Sequence, residues 1–98
     1  MTIQETRNDT TLTVSIIGRL DTTTAPELDA YLNEHTAGVT ALVLDLSGLA
    51  YISSAGLRVL LSAHKKMSLS GSMTLTHVNE TVMEVLEITG FADILSIK

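Results

Sequence analysis

The sequence predicts a single α/β domain over residues 1–98, and two patterns support this prediction. Leu12, Val14 and Ile16 alternate with polar residues, which is the period-two pattern of a strand with one buried face. Three other segments carry apolar residues at helical spacing and lie between segments typical of strands. Strands that alternate with helices favour parallel pairing through right-handed crossovers, and 98 residues fit one domain.

The first predicted elements are a hairpin and a helix. Residues 2–6 are expected to pair with the strand just described, through a turn at residues 8–9. The threonines at 22–24 supply a hydroxyl cap for a helix over about residues 25–36, which has Pro26 near its first turn. These signals give the order strand, strand, helix.

The remaining elements complete a mixed sheet. Residues 41–46 are apolar on both faces, so we expect a central strand covered by helices on one side and by other packing on the other. There follow in chain order a second helix that opens at residues 53–57, a strand over about 72–77, a third helix that begins at Asn79 and ends at Gly90, and a short final strand over 94–97. The predicted fold is a mixed four- to five-stranded sheet with helices packed mainly on one side.

The charge balance and the absence of cysteine exclude several classes of function. The chain has 11 Asp and Glu against 6 Lys and Arg, a formal charge of −5, whereas nucleic-acid binding needs clustered basic residues. Without cysteine there is no thiol nucleophile, disulfide or cysteine zinc site, and the composition suits a reducing compartment such as the cytoplasm. No apolar run approaches the roughly 18 residues of a membrane span, so we expect no direct membrane insertion. A protein partner and a monomeric state are the default expectations.

No pattern in the sequence predicts a catalytic, metal or cofactor site. The serines at 53 and 54 lack the glycine two places earlier that the nucleophile elbow of a hydrolase requires. His35, His64 and His77 lie on separate predicted elements without the spacing of metal ligands. Neither a Walker-type loop nor a dinucleotide-binding glycine motif is present. We therefore expect no catalytic residue, no bound metal and no cofactor.

The turn from the central strand into the second helix is the most informative segment. Ser53 and Ser54 stand where the helix opens, and either serine is suited to be its N-cap. A phosphate on Ser54 would meet unpaired backbone N–H groups and the positive end of the helix dipole. Arg58, one turn later, is placed to add a charged contact. Spacing alone also allows the simpler interpretation of a helix cap and a surface arginine without any modification.

Three stretches resemble landmarks of the STAS domain family: Gly18–Asp21, Asp45–Ser47 and Tyr51–Leu61. Residues 86–91 are similar to the closing helix and turn of that family, so the resemblance runs over essentially the whole chain. The family includes the anti-sigma factor antagonists, which are small cytoplasmic bacterial proteins that bind a serine-kinase anti-sigma factor. In these proteins the kinase phosphorylates one serine, and a PP2C-type phosphatase reactivates the antagonist.

The resemblance also implies the residues of the site. The phosphoacceptor position falls on Ser54, and Ser53 replaces the acidic residue that precedes the acceptor in the family, which makes Ser53 a lesser candidate acceptor. Asp21 and Asp45 are placed around the acceptor, although each also has a structural interpretation, an Asx turn for Asp21 and acceptance of backbone N–H bonds for Asp45. The expected partner-binding residues are Asp21, Thr22, Asp45, Ser47, Ser53, Ser54, Gly56, Leu57 and Arg58.

Partner switching is the function that the resemblance implies. The unphosphorylated protein would bind the kinase and so release the sigma factor, and a phosphate on Ser54 would end that binding by adding roughly −1.5 to −2 charges to an acidic surface. An alternative stays open, because similar STAS proteins also serve as small subunits of membrane lipid-transport complexes and dock on the ATPase. A ligand-sensing or scaffold role is a third possibility.

Overall fold

The computed structural model describes residues 1–98 and contains five strands and three helices. The strands are β1 (Thr2–Asn8), β2 (Thr11–Leu20), β3 (Ala41–Asp45), β4 (Leu49–Ile52) and β5 (Ser72–Thr76). The helices are α1 (Ala25–His35), α2 (Ser54–Ser70) and α3 (Glu80–Ile88), followed by a short 3-10 turn at Phe91–Asp93. None of the helices is both long and apolar enough to cross a membrane.

Strand β2 pairs with three other strands. It is antiparallel to β1, parallel to β3 over residues 11–15 and parallel to β4 over residues 18–20. The register with β4 shifts between Gly18 and Arg19, and Gly18 has a φ of +104°, which glycine adopts without strain. Strand β5 extends the sheet beyond β3, also in parallel, which gives the order β1-β2-β3-β5. The predicted mixed sheet is confirmed.

The core lies on one face of this sheet. Leu12, Val14 and Ile16 of β2 are fully buried, and the residues between them are half-buried. They join one apolar cluster with residues from all three helices, so the helices pack mainly on one side, as predicted. We expected the second face of the central strand to be covered as well, and this prediction is wrong. Val43 and the other alternate residues of β3 stay only half-buried.

The observed sheet differs from the predicted one by one strand that was not predicted and one predicted strand that is not formed. The fifth strand is β4, which has buried ends and two exposed central residues, so it lacks the alternation by which strands are recognised. The final strand predicted over residues 94–97 is only an isolated bridge between Leu75 and Ile97. Its pairing is limited to backbone bonds from Leu75 N to Ser96 O at 2.8 Å and from Lys98 N to Leu75 O at 2.9 Å.

Candidate phosphorylation and partner-binding site

The two serines at the start of α2 have different environments. Ser53 is the N-cap, with extended backbone and a side chain that accepts a hydrogen bond from Gly56 N at 3.4 Å. Ser53 O also accepts the first helical bond, from Leu57 N at 2.9 Å. Ser54 is the first residue of α2 and is exposed, whereas Ser53 is half-buried. The cap is therefore Ser53, and the hydroxyl that faces solvent is that of Ser54.

Contacts with the end of β2 hold the start of α2 in place. Leu20 pairs with Ile52, and Leu20 O accepts a hydrogen bond from Ser53 N at 2.9 Å. A Cβ atom at Gly56 would lie 2.7 Å from Leu20 Cγ and 3.0 Å from Ile52 Cγ1, so only glycine allows the helix to approach this closely. The position of Ser54 thus depends on the ends of β2 and β4.

Two predicted partner-binding residues belong to the core instead. Leu57 is 4% exposed, and Gly56 is buried against the two strand ends. Both residues lie on the side of α2 that faces the sheet, because a helix packed on a sheet buries one of its faces. A partner therefore cannot contact either residue directly while the domain is folded. Their prediction as contact residues is corrected, and their role is to position Ser54.

Asp21 forms a tight loop directly after β2. Its Oδ1 accepts hydrogen bonds from Thr23 N at 3.0 Å and Thr24 N at 3.1 Å, which is the Asx turn expected from the sequence. The backbone bond from Thr24, helped by that from Thr23, holds the pKa of the Asp21 carboxyl below its ordinary range. Thr22 is exposed at the tip of this loop.

The predicted hydroxyl cap of α1 is not formed. Thr24 is the N-cap residue but makes no side-chain capping bond. Its hydroxyl donates to Arg19 O at 2.8 Å and accepts from Asp21 N at 2.8 Å. The hydroxyl therefore closes the Asp21 loop rather than the helix.

Arg19 and Tyr51 are site residues whose role does not follow from the sequence pattern. The two residues are paired across β2 and β4, and the Arg19 guanidinium carbon lies 4.2 Å from the centroid of the Tyr51 ring. Arg19 Nε is also 3.8 Å from Asp21 Oδ2. Both residues occur in the motifs that resemble the family, but only the pairing of β4 with β2 brings them together.

Asp45 lies in a second loop, directly after β3. Its Oδ1 accepts a hydrogen bond from Ser47 N at 3.0 Å and lies 3.4 Å from His77 Nδ1. The backbone bond from Ser47, with a smaller effect of His77, holds the pKa of the Asp45 carboxyl below its ordinary range. His77 follows β5 and has a φ of +55°, which is uncommon for a residue with a side chain. No local sequence signal indicates this pair.

Asp45 and the strand that precedes Ser54 pair with different parts of β2. Asp45 is opposite Ser15 on β2, whereas Ile52, two residues before Ser54, is opposite Leu20. Five residues of β2 separate these positions, roughly 16 Å at the rise of a strand. Ser47 is exposed in the Asp45 loop.

The start of α2 presents an exposed basic residue and free helix N–H groups beside Ser54. Arg58 is exposed one turn after Ser54, where α2 places it on the same side of the helix. The first N–H groups of α2 lack helical partners, and the helix dipole favours an anion at this end. No group of three or more His, Cys, Asp or Glu side chains is arranged to hold a metal ion.

Comparison with known proteins agrees with this architecture. The STAS domain model matches residues 2–98. The chain belongs to the STAS domain family. It is 37% identical over 91 residues to BtrV of Bordetella bronchiseptica, which is named provisionally as an anti-sigma factor antagonist, and the alignment covers 91% of this chain and 78% of that protein.

Solved structures of anti-sigma factor antagonists share the fold of this STAS domain. An antagonist from Mycobacterium paratuberculosis superposes with a TM-score of 0.88 at 25% identity, over 98% of this chain and 83% of that one. The phosphorylated form of SpoIIAA, a Bacillus cell fate determinant, superposes with a TM-score of 0.75 at 17% identity, over 99% of this chain and 91% of that one. This STAS domain therefore has the fold of a class of regulatory binding proteins.

Proposed function

We propose that this STAS protein is an anti-sigma factor antagonist that acts by partner switching. In its unphosphorylated form it binds a serine-kinase anti-sigma factor in the bacterial cytoplasm and so releases the sigma factor. The kinase turns it off by phosphorylating Ser54, and a PP2C-type phosphatase restores it. The protein itself catalyses no reaction. The observation that carries the proposal is the exposed hydroxyl of Ser54 on a helix start whose cap is already supplied by Ser53.

The division of roles between the serines supports Ser54 as the acceptor. Ser53 is half-buried and its hydroxyl oxygen already accepts a hydrogen bond from Gly56 N, so a kinase reaches it less easily than the exposed Ser54. Phosphorylation of Ser54 leaves that cap intact. The phosphate then lies beside the positive end of the helix dipole, with Arg58 one turn away. The modified domain can therefore stay folded.

The expected effect of the phosphate is local and electrostatic. The surface beside Ser54 includes the half-buried Asp21 and the exposed Thr22 of the loop after β2. This loop is joined to the helix start by the bond from Ser53 N to Leu20 O. A phosphate adds roughly −1.5 to −2 charges at pH 7 to this surface. A partner that accommodates the carboxylate of Asp21 then meets a second, larger negative charge, and binding weakens without a change of fold.

Mass spectrometry with site mapping tests the modification. The protein is taken from its native host in growth and in stress. A single phosphate on Ser54, with an occupancy that differs between the two conditions, supports the proposal, and an unmodified Ser54 in both overturns it. Ser53→Ala is the matched control, since it removes the cap at a cost of about 1 kcal/mol but leaves the acceptor. The phosphate should persist in S53A and disappear in S54A.

Binding measurements test the charge effect. The partner is the kinase that co-purifies with the wild-type protein. Ser54→Asp should weaken binding at least tenfold, whereas Ser54→Asn, of similar size and without charge, should bind nearly as the wild type does. Ser54→Ala should bind the kinase and resist release by ATP. Equal affinities of the Asp and Asn variants would contradict the proposal. Capture of a transporter ATPase in place of a kinase would favour the lipid-transport alternative.

A further inference from the structure

The outer edge of strand β1 is open along its whole length. Strand β1 is the first strand in the order β1-β2-β3-β5, so only one of its sides is paired, with β2. Apart from β2, no part of the chain makes a hydrogen bond to the backbone of β1. At the other edge of the sheet, by contrast, the C-terminal segment bonds to Leu75 of β5 through Ser96 O and Lys98 N. The backbone groups on the outer side of β1 are therefore available to another strand.

Strand β1 also lacks the features that usually protect a free edge. Its seven residues, Thr2–Asn8, pair with β2 without a bulge or a shift of register. The strand contains no proline and no lysine. Native sheets commonly prevent edge pairing by exactly such residues and bulges. A regular, unprotected edge of this length favours the addition of a strand.

The two charged residues of β1, Glu5 and Arg7, have opposite signs and lie on the same face. Their partners on β2 are buried, so both side chains are on the face of the sheet that the helices cover. There Glu5 accepts a hydrogen bond from the Tyr31 hydroxyl, and Arg7 donates to His35 O at 2.8 Å. Because these contacts already restrain the two side chains, less conformational entropy is lost when they enter an interface.

The spacing of these charges is self-complementary. In an antiparallel pair of two β1 strands centred on Thr6, Glu5 of each copy faces Arg7 of the other, and Gln4 faces Asn8. A pair centred on Glu5 or on Arg7 instead places two like charges directly opposite each other, which is destabilising. Charge therefore selects the register centred on Thr6. The strand adds no net charge to the contact, although the chain carries −5.

We propose that β1 binds β1 of a second copy of this chain, as an antiparallel pair about a two-fold axis at Thr6. The two sheets then form one continuous sheet, and each copy contributes the same surface to the interface. The contact is centred opposite Thr13 of β2, seven residues or roughly 23 Å along that strand from Leu20, where the start of α2 is attached. The proposal therefore does not depend on the surface around Ser54 or on its modification.

Disulfide trapping tests the register directly, because the chain contains no cysteine. In the proposed dimer the two Thr6 residues are directly opposite, with Cα atoms roughly 4.5 to 5.5 Å apart, which a disulfide can span. Thr6→Cys should therefore form a covalent dimer in a glutathione redox buffer. Thr2→Cys is the matched control, since Thr2 is exposed on the same strand and the same face. Its two copies would be eight residues apart, roughly 27 Å, so Thr6→Cys should cross-link at least about tenfold faster.

Charge exchange in the Thr6→Cys background tests the pairing of Glu5 with Arg7. Glu5→Arg puts like charges opposite each other at two symmetric positions and should slow cross-linking about fivefold, and Arg7→Glu should do the same. The double variant E5R/R7E restores opposite charges and should cross-link within about twofold of Thr6→Cys alone. Circular dichroism checks that each variant is folded, since Glu5 also contacts Tyr31. Arg7→Glu provides the test if Glu5→Arg does not fold.

Sedimentation of the chain without substitutions measures the association. A contact between strand edges is smaller than a standard interface, so the monomer expected from the sequence should be the form at low concentration. Between about 10 μM and about 1 mM the average mass should rise towards twice that of the monomer. A constant monomer mass, or Thr6→Cys that cross-links no faster than Thr2→Cys, would overturn the proposal and leave the edge to a strand of another protein. Equal cross-linking in the single and double charge variants would overturn it too, because the register is part of it.

Discussion

The loop after β2 and the loop after β3 have the same local chemistry but different surroundings. In the Asp21 loop (residues 21–24) and in the Asp45 loop (residues 45–48), a carboxylate accepts a backbone N–H two residues later and its pKa is lowered. The Asp21 loop adjoins the start of α2, through the bond from Ser53 N to Leu20 O. The Asp45 loop is instead paired with His77 after β5. Two similar Asx turns thus have different positions relative to the start of α2.

Both Asp21 and Asp45 stabilise their own loops through bonds to nearby backbone N–H groups. Whether such an aspartate lies near the start of α2 depends instead on which strand is its neighbour. Strand β4 brings the start of α2 to the end of β2 and leaves the end of β3 beside β5. We therefore expect changes near Leu20 to affect Ser54 and the Asp21 loop together, and changes at Asp45 to have little effect on either.

The largest effect is expected for Gly56→Val. The new side chain must displace Leu20, whose Cγ lies 2.7 Å from the position that a Cβ atom would take, so the free energy of unfolding should fall by about 3 kcal/mol. Ser54→Val places the same side chain on the same helical turn but in solvent, and it should cost less than about 1 kcal/mol. Denaturant unfolding measures both, and amide NMR signals should shift in the Asp21 loop of G56V but not in its Asp45 loop. Equal losses in the two variants would contradict the packing argument.

A smaller effect, on binding, is expected from Asp21→Asn. The amide keeps an oxygen for the loop bonds but removes the one charge at this surface that the partner is proposed to pair with, so affinity for the co-purifying kinase should fall about tenfold, or 1.4 kcal/mol. A phosphate on Ser54 weakens binding for a different reason, because the partner offers no second cation to pair with it. Asp45→Asn is the matched control and should change affinity less than threefold, because Asp45 is separated from Ser54. Titration calorimetry compares the two. An equal loss from D45N would mean that the partner covers both loops.

Acid sensitivity should be shared by the two loops. Each carboxyl has a pKa below its ordinary value of 3.8, so its ionised form stabilises the fold. This contribution to the free energy of unfolding is present when the pH is above the ordinary pKa of the carboxyl. It is lost as the pH falls through the lower pKa of the folded state. The free energy of unfolding, measured between about pH 2 and 6, should therefore depend less steeply on pH in Asp21→Asn and in Asp45→Asn than in the wild type. His77→Gln should raise the pKa of Asp45 and leave that of Asp21 unchanged, as carboxyl-carbon NMR can show.

The smallest effect is expected for His77→Gly. Glycine adopts the φ of +55° found at this position without strain, and the exposed contact with Asp45 contributes little, so stability should rise by about 0.5 kcal/mol. Thermal unfolding measures the change. A clear loss of stability would show instead that the pairing of His77 with Asp45 outweighs the backbone strain. The Asp21 loop should give unchanged NMR signals in either case.

Most of the fold could be predicted because its signals are local. The alternation around Val14 identified β2 and its buried face, and Asn79 and Gly90 marked the start and the end of α3, as observed. Strand β4 was not predicted, since its four residues have no periodic pattern and form a strand only by pairing with the end of β2. The C-terminal strand was overpredicted, because an apolar segment becomes a strand only where enough backbone pairs are available.

The candidate site was predictable in part for the same reason. The serines at the start of α2 and the Asx turn at Asp21 follow from residue types over a few positions, and the structure contains both the cap and the turn. The stacking of Arg19 on Tyr51 depends on strand β4 and was not expected. The number of residues between Asp45 and Ser54 in the sequence also does not predict how far apart they lie in the fold.

The sequence by itself determined where helices and strands form, which strand face is apolar and which serines open α2, because each of these depends on neighbours within about one helical turn. The tertiary structure decided which of the two acidic loops adjoins the start of α2 and why Gly56 must lack a side chain. These features depend on pairs of residues that are distant in the chain, and only the packing of α2 and β4 against the sheet fixes the distances between them.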